Sequence, residues 1–138
     1  MNISTILTNS KSSYTHIPYT AKHIWMVYKL QLKYLHWIKY PFHDFDKLLM
    51  YIFVPWLGSH KIHNFHRNHR AHHVEFAMKS DKNFRKFYKH LDEAVIDWES
   101  ARFTKPDKPL NAWQTCIKYY PDLKESVRTT IDRLGIPA

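Results

Sequence analysis

Asp81 to Phe103 reads DKNFRKFYKHLDEAVIDWESARF, and its apolar residues Phe84, Phe87, Tyr88, Leu91, Val95 and Trp98 recur at helical spacing. A strand would alternate with period two, so this pattern predicts a helix, the longest in the chain, with one face turned to a core. Asp97 sits at the border of that stripe beside Ala94 and Ala101, small residues that leave room for a metal or a substrate. Glu93 lies one turn earlier on the same side, whereas Asp92 and Glu99 point elsewhere. A carboxylate on such a border is more often a solvated charge, so position alone does not single out Asp97.

Working outward, the same period recurs upstream. Ile24, Val27, Tyr28, Leu35 and Ile38 predict a helix from about Thr20 to Lys39, closed by Pro41. A second helix is expected from about Asp44 to Val54, stopped by Pro55 and Gly58, and a third over about Ile62 to Met78. Downstream, Lys105 to Pro109 reads as a proline-bounded loop. Short helices follow near Leu110 to Tyr119 and Pro121 to Leu134, with Gly135 suited to a C-cap. Residues 1–19 lack a sustained period and read as an irregular arm before a single domain over 20–138. That domain comprises a core of 20–104 and C-terminal helices within 110–134.

Composition agrees with an all-α, compact helical bundle. The chain has 138 residues, enough for one domain with a real core, and only two glycines, too few for the tight turns of an all-β fold. A single cysteine excludes an intramolecular disulfide and a cysteine-based zinc site, so a transition metal would have to be held by His and carboxylates. The apolar run Leu48 to Leu57 is about half of what a bilayer-spanning helix needs, and Pro55 cuts it. With a Ser-, Thr- and Asn-rich start unlike a secretory signal, a cytoplasmic protein with no membrane partner is expected. A net charge of +9 predicts attraction to anions, nucleic acid included, but gives only the sign of the partner and says nothing of oligomeric state.

The chain carries 11 histidines, and helical angles sort them. His23 borders the face of Val27, Leu30 and Tyr34, while His36 lies among lysines. Between His60 and His72 a histidine recurs at every third position, a period that drifts about 60° backwards per step around a helix, so they cannot share one face. With the apolar direction set by Ile62, Phe65 and Phe76, His69 is expected at the centre, His66 and His73 on one flank and His72 on the other. The rival account is a histidine-rich surface that titrates near neutral pH. Arg67, Asn68 and Arg70, on the opposite side, favour the inward reading.

His43-Asp44-Phe45-Asp46-Lys47 supplies an adjacent imidazole and carboxylate, a mixed ligand pair suited to Zn, Fe, Mn or Co. With His23 upstream and Asp97 downstream, the chain resembles the HD superfamily of metal-dependent phosphohydrolases, whose pattern is a histidine, an adjacent His-Asp pair and a distant aspartate. More narrowly, this pentapeptide, the stretch His66 to Phe76 and Asp97-Trp98-Glu99 resemble a small family of phage and bacterial genomes, the domain-of-unknown-function family 5662. The similarity covers about residues 20–118.

The resemblance implies that His23, His43, Asp44 and Asp97 hold one divalent metal whose bound water attacks a phosphorus atom. A second ion would use His69 with one of His66, His72 or His73, bridged by Asp44. Lys47 is expected to bind a phosphoryl oxygen, with Arg67, Arg70 and Arg102 as further phosphate contacts. Glu93 would orient the water or act as a base. The expected substrate is a nucleotide or other small phosphate ester. Two other readings remain open: a di-iron oxygenase of the HD type, and a non-catalytic basic helical protein that binds nucleic acid or a host protein.

Overall fold

Helix forms here wherever the apolar period is sustained, and it stops wherever one residue leaves the helical region or a proline intervenes. The computed structural model describes residues 2–105, 107 and 109–138, and among these the regular elements are helical with no strand. In chain order they are α1 (Ile3–Thr15), α2 (Ile17–Tyr34), α3 (Phe45–Phe53), α4 (Ser59–His69), α5 (Val74–Ala77), α6 (Asp81–Lys89), α7 (Leu91–Thr104), α8 (Ala112–Tyr119) and α9 (Lys124–Leu134). Short 3-10 turns at Pro55–Leu57 and Pro121–Leu123 precede α4 and α9. The all-α bundle is therefore as expected. The loop expected over 105–109 includes Pro106 and Lys108, which lie outside the described residues.

α7 is the axis of the bundle. Leu91, Ala94 and Val95 pack with Phe87 of α6, Cys116 of α8 and Val127 and Ile131 of α9, while Ile96 packs with Val27 and Leu30 of α2. Full burial of side chains such as Phe87, Val95, Ile96 and Ile131 contributes about 1.5–3 kcal/mol each. Glu93, Asp97 and Ser100, at i, i+4 and i+7, share a further face, and that face carries the polar site.

Several boundaries differ from the sequence reading. The long helix expected over 81–103 is two helices, broken at His90 (φ −107°, ψ 20°), whose N–H bonds back to the Phe87 and Tyr88 carbonyls. The helix expected to reach Lys39 stops at Tyr34, because His36 adopts a left-handed φ of 67°. The helix expected over 62–78 stops at His69, because Arg70 is extended (φ −109°, ψ 132°).

Residues 3–15 are a helix and not an irregular arm, and Pro18 lies in the first turn of α2. The helix carries no sustained apolar period because its Ser and Asn residues make the packing contacts. Asn2 caps α1 by accepting from the Thr5 N–H at 2.8 Å. Ser13 Oγ donates to the Pro55 carbonyl at 2.8 Å, Asn9 Nδ2 to that of Trp56 at 3.0 Å, and the Ser59 N–H donates to Ser12 Oγ at 3.0 Å. α1 thus satisfies the 3-10 turn and the start of α4. Gly58 (φ 86°) lets Asn9 approach, since a Cβ there would stand 3.1 Å from Asn9 Cγ. No helix among the described residues is long and apolar enough to cross a membrane.

Candidate metal centre

Three elements deliver the first group of ligand atoms: His23 from α2, His43 and Asp44 from the turn before α3, and Asp97 from α7. The loop between α2 and α3 is held by buried Gln31, whose Oε1 accepts from the Tyr40 N–H at 2.7 Å and whose Nε2 donates to the Tyr40 carbonyl at 3.2 Å. The Tyr40 hydroxyl and the Lys39 ammonium both donate to Asp92, the latter at 3.0 Å. Asp44 follows this anchor in the left-handed region (φ 60°, ψ 8°), a conformation that aspartate tolerates better than most residues at a cost on the order of 1 kcal/mol. That φ turns its side chain inward at the mouth of α3.

The expected four converge. His23 Nε2 lies 2.8 Å from Asp97 Oδ1 and 3.1 Å from Asp44 Oδ2. His43 Nε2 lies 3.3 Å from Asp97 Oδ1, 3.4 Å from Asp44 Oδ1 and 3.2 Å from His23 Nε2. A second group shares Asp44: its Oδ1 is 2.9 Å from His66 Nε2 and 3.4 Å from His72 Nε2, and His73 completes the set. Within each group the ligand atoms lie within 4.8 Å of one another.

Proton placement tests whether these residues suit a metal. Each of four histidines has Nδ1 facing an acceptor: Ser100 Oγ for His23 (3.1 Å), Glu93 Oε2 for His43 (2.7 Å) and His72 (3.1 Å), and Asp46 for His66 (2.9 Å). Ser100 is free to accept because its own proton goes to the Asp97 carbonyl at 2.6 Å. With Nδ1 so occupied, Nε2 is the atom turned to the cluster, as in a metal-ligating histidine braced by a second partner. Asp44 Oδ1 and the Nε2 atoms of His66, His72 and His73 are buried with no hydrogen-bond partner among the described residues. Four converging buried polar atoms without partners are what a cation would satisfy. The residues fit a divalent metal in both groups.

The electrostatics agree. Burial pulls the His23 and His43 pKa values down, but Asp44, Asp97 and, for His43, Glu93 outweigh it and raise them to about 9 and about 10. His72, opposed by burial and by His43, is raised to about 9 by Asp44 and Glu93. Burial would raise the Asp44 and Asp97 carboxyls, yet the surrounding imidazoles hold both well below the usual range. The carboxylates thus draw positive charge to this point. One divalent ion meets that demand, whereas two Nε2 protons facing each other across 3.2 Å would collide.

Not every expected residue joins. His69 is exposed, with Nδ1 donating to the Phe65 carbonyl at 2.8 Å and its ring stacked on Phe65. The helical angle misplaced it because Phe65 faces outward and because the helix ends there, so His72 and His73 arrive from a turn. His36 and His90 stand outside both groups. Lys47 sits 3.6 Å from Asp44 Oδ2. Glu93, expected as a base or to orient the water, faces the Nδ1 side of His43 and His72, and the three make a further group whose donor atoms lie within 4.8 Å of one another. Arg70 donates to Asp46 at 2.8 Å and lines the cleft, whereas Arg67 pairs with Glu75 at 3.8 Å and Arg102 with buried Glu99 at 3.4 Å, neither of them on the cleft.

Asp46, Ser100 and Gln31 were not singled out from the sequence. Asp46 had a signal, two positions beyond Asp44 in the pentapeptide. Ser100 had one too, three beyond Asp97 on the same helix face. Gln31 had none, since its role is fixed by a loop nine residues away.

The cluster opens to a cleft of about 350 Å³ whose wall includes Tyr40, Phe42, His43, Asp44, Arg70 and His72. No protein-family model, no curated protein and no solved structure matches the chain.

Proposed function

We propose that this chain is a metal-dependent phosphohydrolase of the HD type, acting on a nucleotide or another small phosphate ester. The observation that carries the reading is the position of Asp44, whose carboxylate is common to two groups of histidines with their Nε2 atoms turned inward. The order His23, His43-Asp44, Asp97 supports placing the chain in the HD superfamily. Bound divalent metal would supply Lewis acidity and a water of lowered pKa, usable as a nucleophile near neutral pH. Ser100, Glu93 and Asp46 keep the ligating imidazoles in the required tautomer. Arg70, half exposed at the cleft, would take a phosphoryl oxygen there, with Lys47, 3.6 Å from Asp44 Oδ2, as a second cation beside the ligands.

A second reading, a di-iron oxygenase, is favoured by one feature: the group around His66, His72 and His73 has three nitrogens to one carboxylate, a set that suits iron as well as zinc. Metal analysis of untagged protein and of a His43→Ala, Asp44→Ala double variant tests both. One or two metals per chain, lost in the variant, with hydrolysis of a chromogenic phosphodiester that is also lost, is the expected result. Iron with dioxygen consumption and no hydrolysis would move the assignment to the oxygenase. Failure to hold Mn, Fe, Co or Zn after reconstitution would end the metal reading.

A further inference from the structure

α6 carries Lys82, Arg85, Lys86 and Lys89 at i, i+3, i+4 and i+7, so four cations share one face while Phe84 and Phe87 turn to the core. All four cations are exposed. The lysine and arginine ion pairs among the described residues involve Lys39, Lys47, Arg67, Arg70, Arg102 and Arg128, and none of the α6 set. These four residues and His90 line a second hollow of about 340 Å³. Lys86 and His90 also line the cleft over the metal ligands, so the two hollows adjoin.

We infer that the cleft takes a single-stranded nucleic acid, with the reacting phosphate at the Asp44 cluster and the neighbouring phosphates along α6. This rests on the metal-dependent phosphohydrolase reading and extends its substrate from a small phosphate ester to a strand that carries several phosphates. Lys82 to Lys89 spans about 10 Å at 1.5 Å per residue, more than one phosphate can occupy, so a mononucleotide would leave most of this charge unused. Phe42, 78% exposed on the wall of the cleft, offers a ring on which a base can stack. A single strand can bend one phosphate down to ligands as deeply set as Asp44 and His43, both nearly inaccessible; a stiff duplex cannot.

The test is fluorescence anisotropy of a short hydrolysis-resistant phosphorothioate oligothymidylate with the metal-loaded chain across a salt series. A Lys82→Ala, Arg85→Ala, Lys89→Ala variant is compared, with Lys89→Glu as a second, single change. The expected result is binding weakened about tenfold or more in the triple variant, with a log-log salt slope shallower by about 2, since each cation lost removes about 0.7. Lys89→Glu should move in the same direction. Unchanged affinity and slope, competition by thymidine monophosphate as effective as by the strand, or a preference for duplex or for anionic vesicles would overturn the inference. Metal content and hydrolysis of a small phosphodiester by wild type and Asp44→Ala report on the catalytic reading separately. Their failure alongside α6-dependent strand binding would remove the chemistry and leave the binding surface.

Discussion

Asp44 Oδ1 lies 2.9 Å from His66 Nε2, and both atoms are buried without a hydrogen-bond partner among the described residues, while His66 Nδ1 faces Asp46 at 2.9 Å. Two such atoms held that close inside a protein call for a cation between them. Asp44 also turns Oδ2 toward His23 at 3.1 Å, so one side chain belongs to both groups.

Asp44→Ala is therefore expected to abolish all metal binding, whereas His66→Ala should remove one equivalent and keep the other. His69→Ala should retain full content, since that ring is exposed on Phe65. Elemental analysis of the three variants decides it; metal loss in His69→Ala would contradict the placement.

Glu93 Oε2 accepts from both His43 and His72, one ligand of each group, while Asp46 braces only His66. Glu93→Gln should weaken both metals by about 10–100-fold, and Asp46→Asn only the second. Competition with a calibrated chelator measures each. Equal effects of the two changes on one metal alone would refute the shared brace.

Metal uptake must displace protons from His23, His43 and His72, whose pKa values are raised to about 9, 10 and 9. Metal affinity should accordingly rise with pH up to about 10, with proton release on binding. In chelator the sign for stability is opposite. Raised folded-state values make the imidazolium contribution fully present below the unfolded pKa of about 6.5, and it is lost as pH rises through 9–10. Calorimetric titrations in buffers of different ionisation enthalpy, and melting curves in chelator, read the two trends; a pH-independent metal affinity would be incompatible with these ligands.

Docking of α1 is testable without metal. Ser13→Ala removes one of two donors to the Pro55 carbonyl, which keeps the Gly58 N–H at 3.0 Å, and should cost about 0.5–1.5 kcal/mol. Gly58→Ala places a side chain at φ 86° against Asn9 and should cost about 1 kcal/mol or more. Urea unfolding measures both. Wild-type stability in both variants would mean that α1 does not pack as described.

Helical class and most of the first ligand group were legible in the chain. The period of Phe84 to Trp98 requires helix, and the pentapeptide His43 to Lys47 brings imidazole and carboxylate together by covalent adjacency. Helix ends were less legible, because His36, Arg70 and His90 stop or break helices by their own φ and ψ, and none is a glycine or proline that would announce it. Residues 3–15 were misread because their polar side chains bond to a turn more than forty residues away.

What the sequence determined by itself is therefore what local periodicity and adjacency encode: an all-helical chain and an adjacent His-Asp pair, with His23 and Asp97 on the borders of apolar stripes on two other helices. Only the tertiary structure decided which of the clustered histidines turn inward, that Asp44 is common to both groups and that Glu93 braces two ligands. Those choices depend on distances between atoms far apart in sequence, and on a chain leaving helix at Arg70, which no helical angle carried forward from Ile62 can represent.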